Sequence, residues 1–141
     1  MALRNIVKDG DPILRKVCRP VEKFDDRLAS LLDDMVQTMH EADGVGIAGP
    51  QVGIMRRLCV VDCYDEDGVI ELVNPEIIEK SGEQTGSEGC LSFPGKFGTV
   101  TRPMHVTVRA QDRNGNIFEK SGEGLKARAF CHEIDHLNGV C

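Results

Sequence analysis

The sequence is poor in aromatic residues, and it contains no long apolar run, no CxxC pair and no block of basic residues. It has no Trp, one Tyr and five Phe, which leaves few rings on which single-stranded bases could stack. The 17 Lys and Arg residues are scattered against 23 Asp and Glu, for a net charge of -6, so we expect no direct nucleic-acid-binding motif. Because no apolar stretch is long enough for a signal peptide or a membrane span, we expect a cytoplasmic protein without a membrane partner.

The composition favours one folded domain. Apolar residues make up 40% and charged residues 28% of the 141 positions, a balance unlike that of a disordered chain. Two independent cores would each lie near the lower size limit for folding, so we predict a single domain over residues 1–141. Nothing marks the chain as secreted, and we therefore expect its six cysteines to be reduced: Cys18, Cys59, Cys63, Cys90, Cys131 and Cys141.

Helical periodicity marks two segments. From Asp25 to Glu41 the apolar residues recur at helical spacing, two of them Met residues expected to fill the core, and Asp25 or Asp26 can cap the first turn. The second helix is predicted from Gly124 to Asn138. Gly139 follows it, as is usual after the C-terminus of a helix.

The region between these helices is predicted to form strands. Runs rich in Val and Ile extend from Ile54 to Asp62 and from Val69 to Ile78, and a third, alternating stretch covers Thr99 to Gln111. Asn114-Gly115 follows, which indicates a hairpin. The predicted fold is an α+β domain with mostly antiparallel sheets packed around the C-terminal helix.

The C-terminal helix carries the pattern HExxH, from His132 to His136. At 100° per residue the two histidines fall 40° apart, about one turn along the axis, so both imidazoles can reach one divalent ion. Glu133 lies beside them as a potential acid or base. The alternative is two unrelated surface histidines.

Two histidines do not complete a catalytic metal site, which usually takes three protein ligands and one water. A longer pattern, HExxHxxGxxH, needs a histidine at position 142, so it supplies no third ligand within these 141 residues. Cys90 is the best candidate, because it lies in a predicted loop flanked by glycines where the backbone can approach another group. Cys131 points 100° away from His132 on the helix, and Cys59 and Cys63 fall within a predicted strand.

A glycine-rich segment extends from Gly44 to Gly53 and contains Gln51. It lacks the spacing of a phosphate-binding loop. It suits either an ordinary flexible turn or a backbone edge that a peptide can approach, with the Gln51 amide available to a developing oxyanion.

Together, these segments resemble the peptide deformylase family. The family pattern GxGxAAxQ, EGCLS and HExDH matches Gly44 to Gln51, Glu88 to Ser92 and His132 to His136, over nearly the whole chain. Gly49 departs from the second Ala of the first motif, which we expect to loosen that turn. The chain also ends soon after the third motif, whereas family members usually continue for some residues.

The resemblance implies a catalytic divalent metal bound by Cys90, His132 and His136. Glu133 would be the acid and base, and Gln51 and the Leu91 N–H would hold the oxyanion. The family association implies iron(II) in the cell, although zinc, nickel or cobalt suits the same ligands.

The implied substrate is the N-formyl-methionyl end of a nascent peptide, which yields formate, with transient ribosome contact as a further expectation. The residues expected to contact substrate are Val45, Gly46, Gly89, Leu125 and Ala129. Leu125 and Ala129 share a helical face with His132, and they either form a recess for the methionine side chain or pack in the core.

Two further carboxylates lie near the implied metal ligands. We expect Glu88 to be partly buried and paired with a cation, for which Arg102 is a candidate, and Asp135 to support the site from outside the ligand shell. Two other hypotheses compete with a peptide deformylase. One is an HExxH endopeptidase that does not need Cys90, and the other is a structural metal module in which four protein ligands close the site.

Overall fold

The first helix of the chain begins where its sequence provides a cap. The computed structural model describes residues 2–140, and within them helix α1 spans Asp26–Glu41. The Asp25 carboxylate accepts a hydrogen bond of 3.1 Å from the Leu28 N–H, which identifies Asp25, and not Asp26, as the N-cap. Met35 and Met39 are fully buried, as expected for core residues.

Seven strands and a second helix follow α1 in the described part of the chain. Their bounds are β1 Gly46–Ala48, β2 Leu58–Asp62, β3 Val69–Ser81, β4 Gln84–Cys90, β5 Phe93–Arg102, β6 His105–Gln111, β7 Ile117–Glu123 and α2 Leu125–Leu137. Five strands form one antiparallel sheet in the order β1-β2-β3-β6-β7, and β4 pairs with β5 in a separate two-stranded sheet. The predicted α+β class with antiparallel sheets is confirmed.

The five-stranded sheet lies between the two helices. All five residues of β2 are buried: Cys59 and Val61 pack with α2, whereas Leu58 and Val60 pack with α1. Because successive side chains of a strand point to opposite faces, a strand covered on both sides needs a continuous apolar run. This explains the unbroken apolar run from Leu58 to Val61, to which the strand adds only Asp62 at its end.

The structure corrects three predicted strand boundaries. The predicted run Ile54–Asp62 enters the sheet only at Leu58, and the run Val69–Ile78 continues to Ser81. The predicted stretch Thr99–Gln111 is two strands, β5 and β6, which belong to different sheets. Pro103 lies between them, and its ring fixes φ and removes a backbone donor, so the chain leaves one sheet there and enters the other.

The predicted hairpin and the second helix are confirmed. Gly115 lies in the turn between β6 and β7 with φ of 87°, a conformation that glycine adopts without strain. Helix α2 ends at Leu137, and Gly139 has φ of 76°. None of the helices in residues 2–140 is long and apolar enough to cross a membrane.

The described cysteines are free thiols, as expected. Cys59 lies in β2, but Cys63 falls just after the end of that strand and is half-buried. Cys141 lies outside the described residues.

The cap assignment at α1 generates a stability prediction. Replacing Asp25 with Ala should lower the free energy of unfolding by about 1 kcal/mol, because the Leu28 N–H loses its acceptor. Asp25→Asn keeps an acceptor and should cost much less. Asp26→Ala is the matched control on the neighbouring residue. Urea unfolding followed by circular dichroism measures all three variants, and equal losses for Asp25→Ala and Asp26→Ala would contradict the assignment.

Candidate active site

Cys90 is the last residue of β4 and does not lie in a free loop, contrary to the prediction. It pairs with Phe93 after a register shift that follows Gly89. The glycine has a packing role here, since a Cβ at Gly89 would lie 2.7 Å from the Phe97 ring. Strand pairing therefore fixes the direction in which the Cys90 thiol points.

Three potential metal ligands converge between β4 and α2. Cys90 Sγ lies 3.3 Å from His136 Nε2, and His136 Nε2 lies 3.2 Å from His132 Nε2. The ligand atoms of all three residues lie within 4.8 Å of one another. One sulfur and two imidazole nitrogens form a donor set suited to zinc or iron(II), so the residues present fit a divalent transition metal.

The carboxylate of Glu88 contacts one of these three residues, His132, and also two arginines. Its oxygens accept hydrogen bonds from Arg102 at 3.0 Å and from Arg128 at 2.7 Å, and Oε1 lies 3.0 Å from His132 Nδ1. Burial would raise the pKa of Glu88, but the hydrogen bonds from Arg102 and His132 lower it to about 2. Glu88 is therefore ionised, and the predicted pairing with Arg102 is confirmed.

Asp135 contacts Arg102 and not the ligands themselves. Its Oδ2 lies 2.5 Å from Arg102 Nη1, so the arginine is held between two carboxylates, those of Asp135 and Glu88. The expected role of Asp135 outside the ligand shell is consistent with this contact. Arg128, which sequence reasoning missed, lies one helical turn before His132 and points to the same carboxylate as Arg102.

Burial and hydrogen bonding shift the pKa values of the two histidines in opposite directions. Burial lowers the pKa of His136 to about 3, which keeps this ring neutral and able to bind a metal. Burial alone would also lower the pKa of His132, but hydrogen bonding with Cys90 and Glu88 and the nearby charge of Glu133 raise it to about 10. The negative surroundings of His132 therefore favour a positive charge at this position, whether a proton or a metal ion supplies it.

Glu133 lies next to the cluster and is 4% exposed. Burial raises its pKa to about 7, and its Oε1 has no hydrogen-bond partner among the described residues. The main chain of Gly46 covers this carboxylate closely, since a Cβ there would lie 2.6 Å from Glu133 Oε2. A carboxylate with a raised pKa and an unpartnered oxygen is suited to accept and return a proton.

Gln51 presents its amide nitrogen to the cluster. The residue is buried in a 3₁₀ turn, Gly49–Val52, and its Oε1 accepts a hydrogen bond of 2.9 Å from the Ala48 N–H. Its Nε2 donates to Ser92 Oγ at 3.3 Å and to Cys90 Sγ at 3.5 Å. The side chain is therefore fixed with its donors towards Cys90.

Gly49 is tightly packed in this turn. A Cβ at Gly49 would lie 2.6 Å from the Ile54 carbonyl oxygen and 2.9 Å from that of Arg56. The Ile54 N–H also donates to the Gly49 carbonyl at 2.9 Å. The expected loosening is therefore wrong, because Gly49 is buried and its surroundings are tightly packed.

The cluster opens into a cavity of about 500 Å³. Its walls include every residue predicted from the sequence to contact the substrate or the oxyanion: Val45, Gly46, Gln51, Gly89, Leu91, Leu125 and Ala129. Leu125 is 53% exposed and Ala129 is buried, so Leu125 is not simply a core residue. Phe97, which is 74% exposed, also lines the cavity, and no sequence signal distinguishes it from other surface residues.

One wall of the cavity is a sheet edge. Strand β1 is the first strand of the five-stranded sheet and pairs only with β2 among the described strands. The Asp62 N–H donates to the Val45 carbonyl at 2.8 Å, so Val45 turns towards β2. Because successive residues turn their peptide groups to opposite sides, Gly46 turns its peptide groups towards the open edge.

Comparisons with known proteins point to one family. The model of the polypeptide deformylase family matches residues 3–141. A peptide deformylase of Alkaliphilus metalliredigens is 56% identical over 140 residues, which is 99% of this chain and 94% of the relative. The crystal structure of a peptide deformylase from Thermotoga maritima aligns with a TM-score of 0.94 at 44% identity, covering 98% of this chain and 93% of the other. A structure from Legionella pneumophila also aligns with a TM-score of 0.94, at 50% identity over 98% of this chain and 82% of the other.

The geometry of the three ligands predicts which cysteine binds the metal. Cys90→Ala should lose most of the bound ion, because two imidazoles remain where three ligands converge. Cys131→Ala is the matched control, since Cys131 is adjacent to His132 in sequence but is not part of the cluster. Elemental analysis after anaerobic purification should give about one ion per chain for the wild type and the control. Equal metal content in the two variants would refute Cys90 as a ligand.

Proposed function

This chain belongs to the peptide deformylase family, metal-dependent hydrolases that remove the N-formyl group from nascent polypeptides, and we propose that Cys90, His132 and His136 hold the metal ion here. The reaction releases formate and leaves a free α-amine on the terminal methionine. The family model extends over residues 3–141, which supports a single metallohydrolase domain over 1–141.

One observation carries this assignment of residues. A thiol from β4 and two imidazoles from α2 meet within 4.8 Å, beside the buried Glu133 carboxylate, at the inner end of a cavity. The cluster includes no fourth His, Cys, Asp or Glu ligand from residues 2–140. This favours a site that keeps a position for water over a closed structural metal site.

The metal ion and the protein groups have different roles in the proposed hydrolysis. A divalent ion bound by the three ligands would lower the pKa of a coordinated water from 15.7 to about 7. Glu133 accepts the proton of the attacking water and later delivers it to the departing amine, because its Oε1 has no other partner. The Gln51 amide and the Leu91 N–H donate hydrogen bonds to the oxyanion that forms at the formyl carbon.

The cavity walls suggest how a formyl-methionyl peptide lies in the site. Leu125 and Ala129 form an apolar surface on the helical face that carries His132, which suits the methionine side chain. The peptide main chain pairs as an added strand at Val45 and Gly46, where the Gly46 peptide groups face the open edge, and the Gly89 backbone also borders the cavity.

The identity of the metal is a finer proposal. We expect iron(II) in the cell, which the family association favours, while zinc, nickel or cobalt can occupy the same thiolate and imidazole ligands. Elemental analysis of protein purified without oxygen identifies the ion.

An HExxH endopeptidase is the competing enzyme hypothesis. It predicts cleavage of internal peptide bonds and no need for Cys90. The 3.3 Å contact between Cys90 and His136 favours the deformylase, because it gives the thiol a place among the ligands.

The proposal includes transient contact with the ribosome in the cytoplasm. Five of the 17 Lys and Arg residues border one surface cleft. Arg4 pairs with Asp34, and the other four are Arg19, Lys23, Arg27 and Arg56. None of these four side chains lies within ion-pair distance of a carboxylate of residues 2–140, although Glu22 and Asp25 also border the cleft and Arg56 donates to the Met55 carbonyl. The sequence has no basic block of the kind that forms a nucleic-acid-binding motif, but unpaired cations that the fold brings to one face of an acidic protein suit the phosphates of ribosomal RNA.

The role of Glu133 predicts a separation of metal binding from turnover. Glu133→Gln should keep its metal ion and lower the rate of formate release from a formyl-Met peptide by about 10²–10⁴-fold. Glu119→Gln is the control, since this exposed carboxylate pairs with Arg109 on β6. Formate release and elemental analysis on the same samples make the comparison. Normal turnover by Glu133→Gln would refute the assigned base, and release of internal peptide fragments would favour the endopeptidase.

The cation cluster predicts salt-sensitive ribosome binding. The triple variant Arg19→Glu, Lys23→Glu, Arg27→Glu should bind ribosomes about tenfold more weakly than wild type at low salt, because it removes three phosphate contacts. The control is the triple variant Lys8→Glu, Lys80→Glu, Arg109→Glu, which makes the same change in net charge at residues outside this cleft. Cosedimentation with ribosomes measures binding, while turnover of a free formyl-Met peptide should not change. Equal loss of binding in the two triple variants would show that only net charge matters.

A further inference from the structure

Gly44 borders the cavity just before β1 and next to the oxyanion side of the site. Its N–H donates to the Met39 carbonyl at 2.9 Å, at the end of α1. Its Cα packs against Leu91, since a Cβ there would lie 2.7 Å from Leu91 Cδ1. The position of Gly44 therefore sets the gap between the start of β1 and the end of β4.

A single side chain outside the cavity holds the carbonyl group of Gly44. The hydroxyl of Tyr64, the only tyrosine in the chain, donates to the Gly44 carbonyl oxygen at 3.1 Å. The ring centroid lies 6.1 Å from that of His40. Tyr64 is 62% exposed, so burial of its ring does not explain this placement.

The backbone of Tyr64 adopts an unfavourable conformation to make this contact. Its φ is 58°, in the left-handed region that aromatic residues rarely occupy. The Tyr64 N–H donates to Asp62 Oδ1 at 2.8 Å, and Asp62 Oδ2 lies 2.8 Å from His40 Nε2. Strained residues that the surrounding structure holds in place occur often at functional sites.

Tyr64 lies in the connection between β2 and β3, residues 63–68. Ion pairs attach the rest of this connection to α2 and β7. Lys126 of α2 contacts the carboxylates of both Asp65 and Asp67, and Lys120 of β7 lies 2.8 Å from Asp67. Lys126 follows Leu125, a residue of the cavity wall. The connection between β2 and β3 is thus tied to the helix that carries the histidines, and it presents the Tyr64 hydroxyl to Gly44 from a fixed position.

We infer that Tyr64 is a positioning residue for substrate binding: its hydrogen bond to Gly44 holds the start of β1 where the strand edge can pair with the main chain of the peptide. The inference rests on the proposed function. A preformed edge lowers the ordering cost of binding. Because Tyr64 contacts neither the three ligands nor Glu133, its removal affects peptide binding and leaves the hydrolytic step unchanged.

Tyr64→Phe tests this inference, because it removes only the hydroxyl. For a metal-loaded enzyme and a formyl-Met tripeptide, KM should rise about threefold to tenfold, the range of one neutral hydrogen bond, with kcat within about twofold of wild type. For formyl-Met amide, which has no following residues to pair with β1, KM should change less than about twofold. Thr107→Val, which removes an exposed hydroxyl contact with Ser121 on the far strands, is the control and should match wild type.

A second measurement does not depend on turnover. Hydrogen exchange at the Gly44 amide, which donates to the Met39 carbonyl, should become faster in Tyr64→Phe and not in Thr107→Val. The inference is overturned if KM for the tripeptide does not change, if exchange at the Gly44 amide does not change, or if activity falls equally for both substrates, as general destabilisation would cause. If wild-type enzyme releases no formate, the proposed function fails instead.

Discussion

The buried carboxylate of Glu88 is the interaction on which the rest of the site depends. Glu88 and Cys90 are two residues apart on β4, so both side chains point to the same face of the strand. That face lies against α2, where Glu88 contacts Arg128 and His132 while Cys90 meets His136. Burying a carboxylate is costly unless it is paired and hydrogen-bonded. The network that stabilises this charge also fixes the distance between the thiol and the imidazoles.

The five-stranded sheet provides the rigid support that this network needs. Strand β2 is buried on both faces, between α1 and α2, and α2 packs against it through Phe130, which is fully buried. Such close packing keeps Glu133 and His136 almost entirely out of water. In this low-dielectric environment the charges of the site interact more strongly than they would in solvent. The two-stranded sheet then supplies the thiol from the other side.

Local periodicity predicted the helical part of the site, and non-local contacts account for what it missed. The helix period alone places His132 and His136 on one face. The sequence also limits the N-cap of α1 to Asp25 or Asp26. The sequence patterns miss β4 and the part of β5 before Thr99, because these segments are rich in Gly and polar residues and lie outside the main sheet. Ser92 and Arg128 take their roles from partners about 40 positions away in sequence, which no local pattern encodes.

Gly46 also takes its role from a non-local contact that the glycine-rich motif does not predict. The absence of a side chain lets the β1 main chain lie against Glu133, where a Cβ would be 2.6 Å from Oε2. This close cover removes water from one side of the carboxylate and contributes to the burial that raises its pKa to about 7. The peptide groups of Gly46 meanwhile face the open edge of the sheet. One glycine therefore links two requirements of the proposed reaction, because a peptide paired with this edge would lie next to Glu133, the proposed acid and base.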